Sequence, residues 1–302
     1  MSLSNRTIFM SGGSRGIGLA IAVAAAREGA NVVIAAKTDQ PHPKLPGTIH
    51  TAVDAIREAG GRALGVLCDI RDEAQVAEAV SKAADEFGGI DIVVNNASAI
   101  QLTPTLATPP KRYDLMTGIN SRGTYLVTQA CLDHLLKSDH AHILTLSPPL
   151  DFNPNWFRNN NAYALAKYGM TALTMGWAAE FEGKVAANCL WPRTAIDTAA
   201  VRNLLGGEAV ASMSRTPDIM ADAAVAMLAK SVDFTGWCAL DDLVLAAEGV
   251  TDFEAYSVTP GAKLQLDFFF PHDTPEPADA GGAIGWRAPQ LKGADIEAPE
   301  AK

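Results

Sequence analysis

Short runs that are apolar at nearly every position, rather than at every second one, recur along the chain. They fall at 7–10 (TIFM), 31–36 (NVVIAA), 63–68 (ALGVLC), 90–94 (IDIVV), 142–147 (HILTLS), 185–191 (VAANCLW) and 235–240 (TGWCAL). Strands of this kind have both faces covered, as in a parallel sheet sandwiched by helices and unlike a one-sided antiparallel sheet. Helical stretches separate them, near 48–59, 72–87, 111–137 and 162–182. The alternation predicts an α/β fold, a doubly wound parallel sheet flanked by helices, as a single domain over 1–270. The chain of 302 residues is long enough for one such core. After Asp242 the pattern weakens, and 271–302, rich in Pro, Gly and Ala, reads as an extended C-terminal tail with Trp286 as an anchor.

The first run leads into Ser11-Gly12-Gly13-Ser14-Arg15-Gly16-Ile17-Gly18. Apolar residues at Ile17, Ala20, Ile21 and Ala24 then mark one face of a helix beginning near Arg15. Glycines between a strand and a helix let backbone approach a pyrophosphate, and the helix N-terminus presents free N–H groups and the positive end of its dipole. The alternative is a tight turn closing an ordinary βα unit. The end of the second strand decides which dinucleotide fits. An acidic residue there accepts hydrogen bonds from a ribose 2′-OH, whereas this strand ends Ala35-Ala36-Lys37. Lys37, with Arg15 as a second cation, favours the 2′-phosphate of NADP over NAD; otherwise Lys37 is a solvated loop residue. Together these features predict a Rossmann-type dinucleotide fold.

Composition excludes other classes. A net charge of -10 and a pI near 5.0 argue against a broad nucleic-acid or anionic-membrane surface. No apolar run is long enough to span a bilayer, and Met1–Arg6 has no apolar leader segment. The cysteines Cys68, Cys131, Cys189 and Cys238 are scattered, with no C-x-x-C pair. They read as buried reduced thiols of a cytoplasmic protein rather than metal ligands.

Further motifs follow in order: Asp69 after the third strand, Asn95-Asn96-Ala97-Ser98 after the fourth, Asn120 in the next long helix, Tyr163-x-x-x-Lys167, Pro192 after the sixth strand, and Thr235-Gly236. Over roughly residues 5–242 this succession resembles the short-chain dehydrogenase/reductase family. The resemblance implies a cofactor site made of Ser11, Gly12, Ser14, Arg15, Gly16, Ile17, Gly18, Lys37, Asp69, Asn96, Lys167 and Pro192, with Asp69 at the adenine edge. It implies a catalytic group of Asn120, Ser147, Tyr163 and Lys167. It also implies a homo-dimer or homo-tetramer formed through 111–137 and 162–182.

The chemistry of the tyrosine can be argued from first principles. Four residues apart, Tyr163 and Lys167 share one side of a helix whose buried stripe is Ala166, Met170, Leu173 and Trp177. Moving a tyrosine from ~10 to ~7 takes about 4 kcal/mol, and one cation about 4 Å away at an effective dielectric near 20 supplies roughly that much. Lys167 is the expected cation. By resemblance, Tyr163 exchanges the proton of a carbonyl or alcohol as hydride moves, Lys167 also holds the nicotinamide ribose, and Asn120 supports a proton-relaying water.

Some positions depart from the family. It often reads Ser-Ser after the fifth strand with the second serine active, whereas this chain reads Ser147-Pro148-Pro149. Either Pro148 occupies the catalytic place or a longer loop brings Ser147 in. The family's Pro-Gly is Pro192-Arg193, and its threonine comes one residue late, as Thr198. Arg193 either contacts phosphate or an acidic substrate, or points to solvent. Trp156 and Phe157 either wall an apolar pocket for a lipid-like carbonyl or pack their loop onto the body or a partner subunit. Residues 194–216 are expected to form a mobile cover. The leading expectation is an NADP-dependent reductase or dehydrogenase of a small-molecule carbonyl or alcohol. The rival from another class is a dinucleotide-binding sensor or scaffold with a drifted active site. A reductase of carrier-bound acyl thioesters is a third reading, disfavoured by the acidic charge.

Overall fold

The computed structural model describes residues 3–43, 45–271 and 273–289. Each predicted strand forms: β1 (Thr7–Ser11), β2 (Asn31–Ala36), β3 (Arg62–Leu67), β4 (Ile92–Asn95), β5 (His142–Thr145), β6 (Ala186–Trp191) and β7 (Trp237–Leu240). The segment expected to be only a tail adds an eighth, β8 (Gly285–Arg287), antiparallel on β7. The rest of that tail, 290–302, lies outside the described residues. In the sheet the order is β3-β2-β1-β4-β5-β6-β7-β8, with β1 to β7 parallel. Strand order reverses between β1 and β4, where open α/β sheets leave a crevice beyond their C-terminal ends.

Side-chain alternation sorts the strands into two cores. Ile8, Met10, Val32, Ile34, Ile92 and Val94 face one layer, formed by α1 (Gly16–Arg27), α2 (Ile49–Glu58), α10 (Asp218–Leu228) and α11 (Asp241–Ala247). Phe9, Val33, Val66, Val93 and Ile143 face the other, built from α3 (Glu73–Phe87), α5 (Thr124–Leu135) and α7 (Asn161–Glu180), while α4 (Pro110–Thr117) buries Met116 in a separate cluster. Short helices α6 (Pro154–Phe157), α8 (Ala199–Leu204) and α9 (Gly207–Ala211) sit in the loops at the C-terminal side. Helix starts follow the local chemistry. Thr48 and Thr51 form a reciprocal capping box on α2, and the Asp72 carboxylate accepts from the Ala74 and Gln75 amides on α3.

The single helix expected over 111–137 is instead α4 and α5 joined by a π-helical turn, Gly118–Gly123, with Asn120 fully buried inside it. Such a turn inserts a residue into the helical ladder and often marks a functional site.

Candidate active site

A third apolar cluster gathers at the mouth of the sheet, beyond the C-terminal ends of the strands. It includes Met116, Tyr163, Tyr168, Trp191, Leu240, Phe269 and Phe270. Two structural halves meet beside it.

The first half lies over β1 and β4. Gly12 has φ +74°, and a Cβ there would stand 2.7 Å from the Ala97 Cα; at Gly18 a Cβ would meet Asn96 Nδ2 at 2.4 Å. The Ser11 hydroxyl accepts from the Asn96 and Ala97 amides, each at 3.2 Å. Asn96 Nδ2 donates to the carbonyls of Ser11 at 3.1 Å and Gly12 at 3.0 Å. Ser14 is buried and Ile17 partly so, on either side of Arg15 and Gly16. Helix α1 starts with no side-chain cap and no acid in its first turn, which leaves its N–H groups and dipole for an anion.

At the edge of this half, Arg15 Nη2 donates to the Gly47 carbonyl at 2.9 Å, while its buried Nε has no hydrogen-bond partner. Burial pulls the guanidinium below its ordinary value. Lys37 Nζ lies 3.3 Å from Asp69, and Arg71 donates to the same carboxylate. Those contacts, with Arg71 foremost, hold the Asp69 carboxyl well below the usual range. The uncapped helix, the orphaned Arg15 Nε and the glycine cradle fit a phosphate-bearing dinucleotide.

The second half lies over β5, β6 and β7. Tyr163 is 5% exposed, and the Ser98 side chain favours its ionised form. Asn120 holds the loop that carries Ser98: its amide oxygen accepts from the Ala99 N–H at 2.8 Å, and its Nδ2 donates to the Ala99 carbonyl at 3.1 Å. Lys167 is buried, and its Nζ donates to the Leu146 carbonyl at 2.6 Å and stands 5.1 Å over the Trp191 ring. Burial brings Lys167 down to about 8.

The expected lowering of Tyr163 by Lys167 does not appear. Burial pushes the Tyr163 phenol up, the Asp267 carboxylate pushes it further, and only Ser98 opposes them. The ammonium is directed to the Leu146 carbonyl.

Ser147 makes its hydrogen bonds within the core. Its hydroxyl accepts from Thr171 at 2.9 Å and donates to Cys189 at 3.3 Å, fully buried. Among the hydrogen bonds of the described residues none joins it to Tyr163, and Pro148 beside it has no N–H to offer.

Arg193 takes neither expected position. It is buried, ion-paired with Asp242 and stacked 4.8 Å from the Phe270 ring, and its Nη2 donates to the Pro275 carbonyl at 2.6 Å. Pro192 is buried beside it at the end of β6. Trp156 lies 5.9 Å from the Phe269 ring, and Phe157 packs edge-on against Tyr168 at 5.4 Å. Both aromatics therefore contact the body of the domain. In the 194–216 segment Thr198 caps α8, and a Cβ on Gly16 would meet its Cγ2 at 3.5 Å. That segment thus reaches over the glycine turn and joins the two halves.

Asp267, which opposes a phenolate on Tyr163, belongs to no motif of the sequence. Ser98 closes the Asn95-Asn96-Ala97-Ser98 motif after β4. Asp267 carried no local signal. Among the described residues no group of His, Cys, Asp or Glu is arranged to hold a metal ion, and no helix is long and apolar enough to cross a membrane.

A glycine turn at a β1/β4 switch point, with a buried Tyr-x-x-x-Lys helix across the mouth, defines a short-chain oxidoreductase. The short chain dehydrogenase family model matches residues 6–208, and the chain belongs to that family. It is 57% identical over 274 residues to hydroxysteroid dehydrogenase-like protein 2 of Xenopus tropicalis, covering 91% of this chain and 65% of that one. To the Bos taurus protein of the same name it is 53% identical, covering 98% and 71%. The chain thus spans about two thirds of the length of these relatives. A crystal structure from Xanthomonas campestris, assigned as a dehydrogenase, superposes with a TM-score of 0.86 at 53% identity, covering 89% of this chain and 99% of that one. Family and structural likeness together make the chain a dehydrogenase/reductase enzyme, in preference to a scaffold with a drifted site.

Proposed function

We propose that the enzyme interconverts a carbonyl and a secondary alcohol with NADP as cofactor, using Tyr163 as the acid/base. The observation that carries this reading is the placement of Tyr163. It is a buried phenol at the mouth, one helical turn from the buried Lys167. Bound NADP supplies the hydride when reduced and takes it up when oxidised. The glycine turn and α1 hold the pyrophosphate, and Lys37 and Arg15 hold the 2′-phosphate.

In reduction the Tyr163 hydroxyl donates its proton to the carbonyl oxygen; in oxidation the phenolate accepts it back. A phenol held in its protonated form by burial is suited to the donating role. Asn120 positions Ser98 through the Ala99 backbone, and Lys167 provides the cation of the site.

The aromatic surroundings of Tyr163 favour an apolar, lipid-like substrate. Phe269 and Trp191 lie in the same cluster, and the relatives' name points to a similar class of carbonyl. For assembly, the small residues Gly169, Ala172 and Gly176 line a groove beside the exposed Tyr125, on the outer side of α5 and α7. This surface suits a homo-dimer or homo-tetramer. All four cysteines are free and buried, in keeping with a cytoplasmic location.

The test is NADPH or NADH oxidation by the wild-type enzyme over steroid, retinoid, quinone, fatty-acyl and short polar carbonyls. The expected outcome is turnover with NADPH in preference to NADH and with apolar in preference to polar carbonyls. Preference for NADH would remove the assignment of Lys37 and Arg15, and preference for polar carbonyls would remove the lipid-like class.

A further inference from the structure

Tyr163 is shut in. It is 5% exposed and Lys167 3%, yet a carbonyl oxygen must come within about 2.6–3.2 Å of the phenol to take its proton. Some part of the cover has to yield. Among the buried members of the surrounding cluster, Tyr163 and Tyr168 ride on α7, Met116 on α4, Trp191 on β6 and Leu240 on β7. Phe269 and Phe270 are the two that no helix or strand carries.

The chain is pinned on either side of Phe269. Ala195 N–H donates to the Gln265 carbonyl at 2.8 Å, Asp267 N–H to the Arg193 carbonyl at 3.0 Å, and Trp191 Nε1 to the Phe268 carbonyl at 2.8 Å. Beyond it, Arg193 stacks 4.8 Å from the Phe270 ring and donates to the Pro275 carbonyl at 2.6 Å. Phe269 is left between these clamps with φ +63°, a left-handed conformation that a bulky residue rarely adopts and that surrounding structure has to impose.

Ring packing does the imposing. The Phe269 ring is fully buried, 6.1 Å from the Tyr163 ring, 5.3 Å from Tyr168, 5.9 Å from Trp156 and 6.2 Å from Trp191. Among the hydrogen bonds of the described residues none involves Phe269. Pro271, two residues on, and Leu240 of the same cluster line a cleft of about 440 Å³, so open volume borders the segment.

We propose that Phe269 is the gate on the substrate side of Tyr163 and the residue that determines which carbonyls enter. Its ring fills the place that the apolar body of a substrate takes against Tyr163 and Trp191. Displacing the ring frees its left-handed backbone and uncovers the phenol. A ligand then stabilises the open form only by replacing the packing that the ring gives up. A small polar carbonyl cannot do so, whereas a cyclic apolar body at least as large as a phenyl ring can. This deepens the reading of Tyr163 as the acid/base and rests on it.

Two measurements test the gate. In protein labelled with 13Cζ-tyrosine, the signal removed by Tyr163→Phe reports the phenol without any turnover. Burial holds that phenol above its ordinary value, and in Phe269→Gly it is expected to titrate lower, towards ~10. Glycine adopts the same φ freely. Phe269→Leu, which keeps an apolar side chain, is expected to fall between the two. An unchanged titration in folded Phe269→Gly or Phe269→Leu overturns the proposal.

The second measurement is steady-state reduction of cyclic apolar carbonyls. Phe269→Gly is expected to lower KM about tenfold with kcat held within about threefold, as for an open form populated at about 10% in the wild type. Phe270→Leu, which alters the neighbouring ring under Arg193, is expected to leave KM unmoved. An equal drop in both variants, or no drop in Phe269→Gly, also overturns the proposal. Persisting turnover in Tyr163→Phe would instead condemn the acid/base reading itself, which keeps the two failures distinct.

Discussion

The two halves of the mouth are held by different means. Over β1 and β4, the positions of Ser11, Gly12, Asn96 and Ala97 are set by hydrogen bonds between side chains and backbone and by the lack of a Cβ, and its charged residues Lys37, Asp69 and Arg71 are partly open to solvent. Over β5 to β7, aromatic rings and buried ions from remote segments hold the site instead, with Phe269 on Tyr163, and Arg193 and Arg215 on Asp242. The first half joins two tight turns at neighbouring strand ends, 85 residues apart in sequence, through polar contacts to backbone. The second is completed by residues 265–270, tied to the end of β6 through Arg193 and Trp191. A dinucleotide common to many enzymes can be held by the first kind of site, whereas a particular substrate calls for the second.

The contrast is broken most readily at Asp242. Its side chain is 0% exposed and accepts from Arg193, with Arg215 at 3.2 Å. Asp242→Ala leaves two buried guanidinium groups without their counter-ion and is expected to cost about 3–5 kcal/mol in denaturant unfolding. Asp69→Ala, on the open side of the mouth, is expected to cost under ~1 kcal/mol. Equal losses would mean that the two halves are built alike.

Asp241 sharpens the same point through pH. Burial, with repulsion from Asp242, raises its carboxyl to about 7. The folded chain therefore favours the protonated form. This contribution is fully present below ~4, the unfolded value, and is lost as pH rises through about 7, with an amplitude on the order of 2–4 kcal/mol. Asp241→Asn should flatten the dependence of stability on pH in that window, as measured by unfolding at a series of pH values. An unchanged slope would show that the buried cluster does not titrate there. At the other half, Lys37→Ala is expected to weaken NADPH binding about tenfold, the value of one charge-assisted contact, and to leave NADH binding unchanged. A calorimetric titration with each nucleotide distinguishes this from a solvated Lys37.

The same contrast explains what could be read from the chain alone. Strands β1 to β7 and the glycine turn were legible because burial on both faces and close backbone approach each restrict residue type over a short stretch. Tyr163 and Lys167 were legible from their spacing on one helix. Their electrostatics were not, since the Leu146 carbonyl and Asp267 come from elsewhere in the chain. Ser147 looked like a site residue by its place after β5, yet Thr171 and Cys189 turn its hydroxyl into the core. Arg193 looked like a loop cation because its partner, Asp242, lies across the β6–β7 crossover. Strand β8 was hidden because Gly285–Arg287 is three residues long, too short for periodicity to register, and forms only against an existing edge.

If cofactor holding and proton transfer reside in these separate halves, one can be removed without the other. NADPH affinity and single-turnover carbonyl reduction, measured side by side in wild type and Tyr163→Phe, decide this. Unchanged NADPH affinity is expected in the variant, with a reduction rate lowered by about 10²–10⁴-fold, the usual contribution of a positioned acid. Reduction at the wild-type rate in Tyr163→Phe would contradict the division.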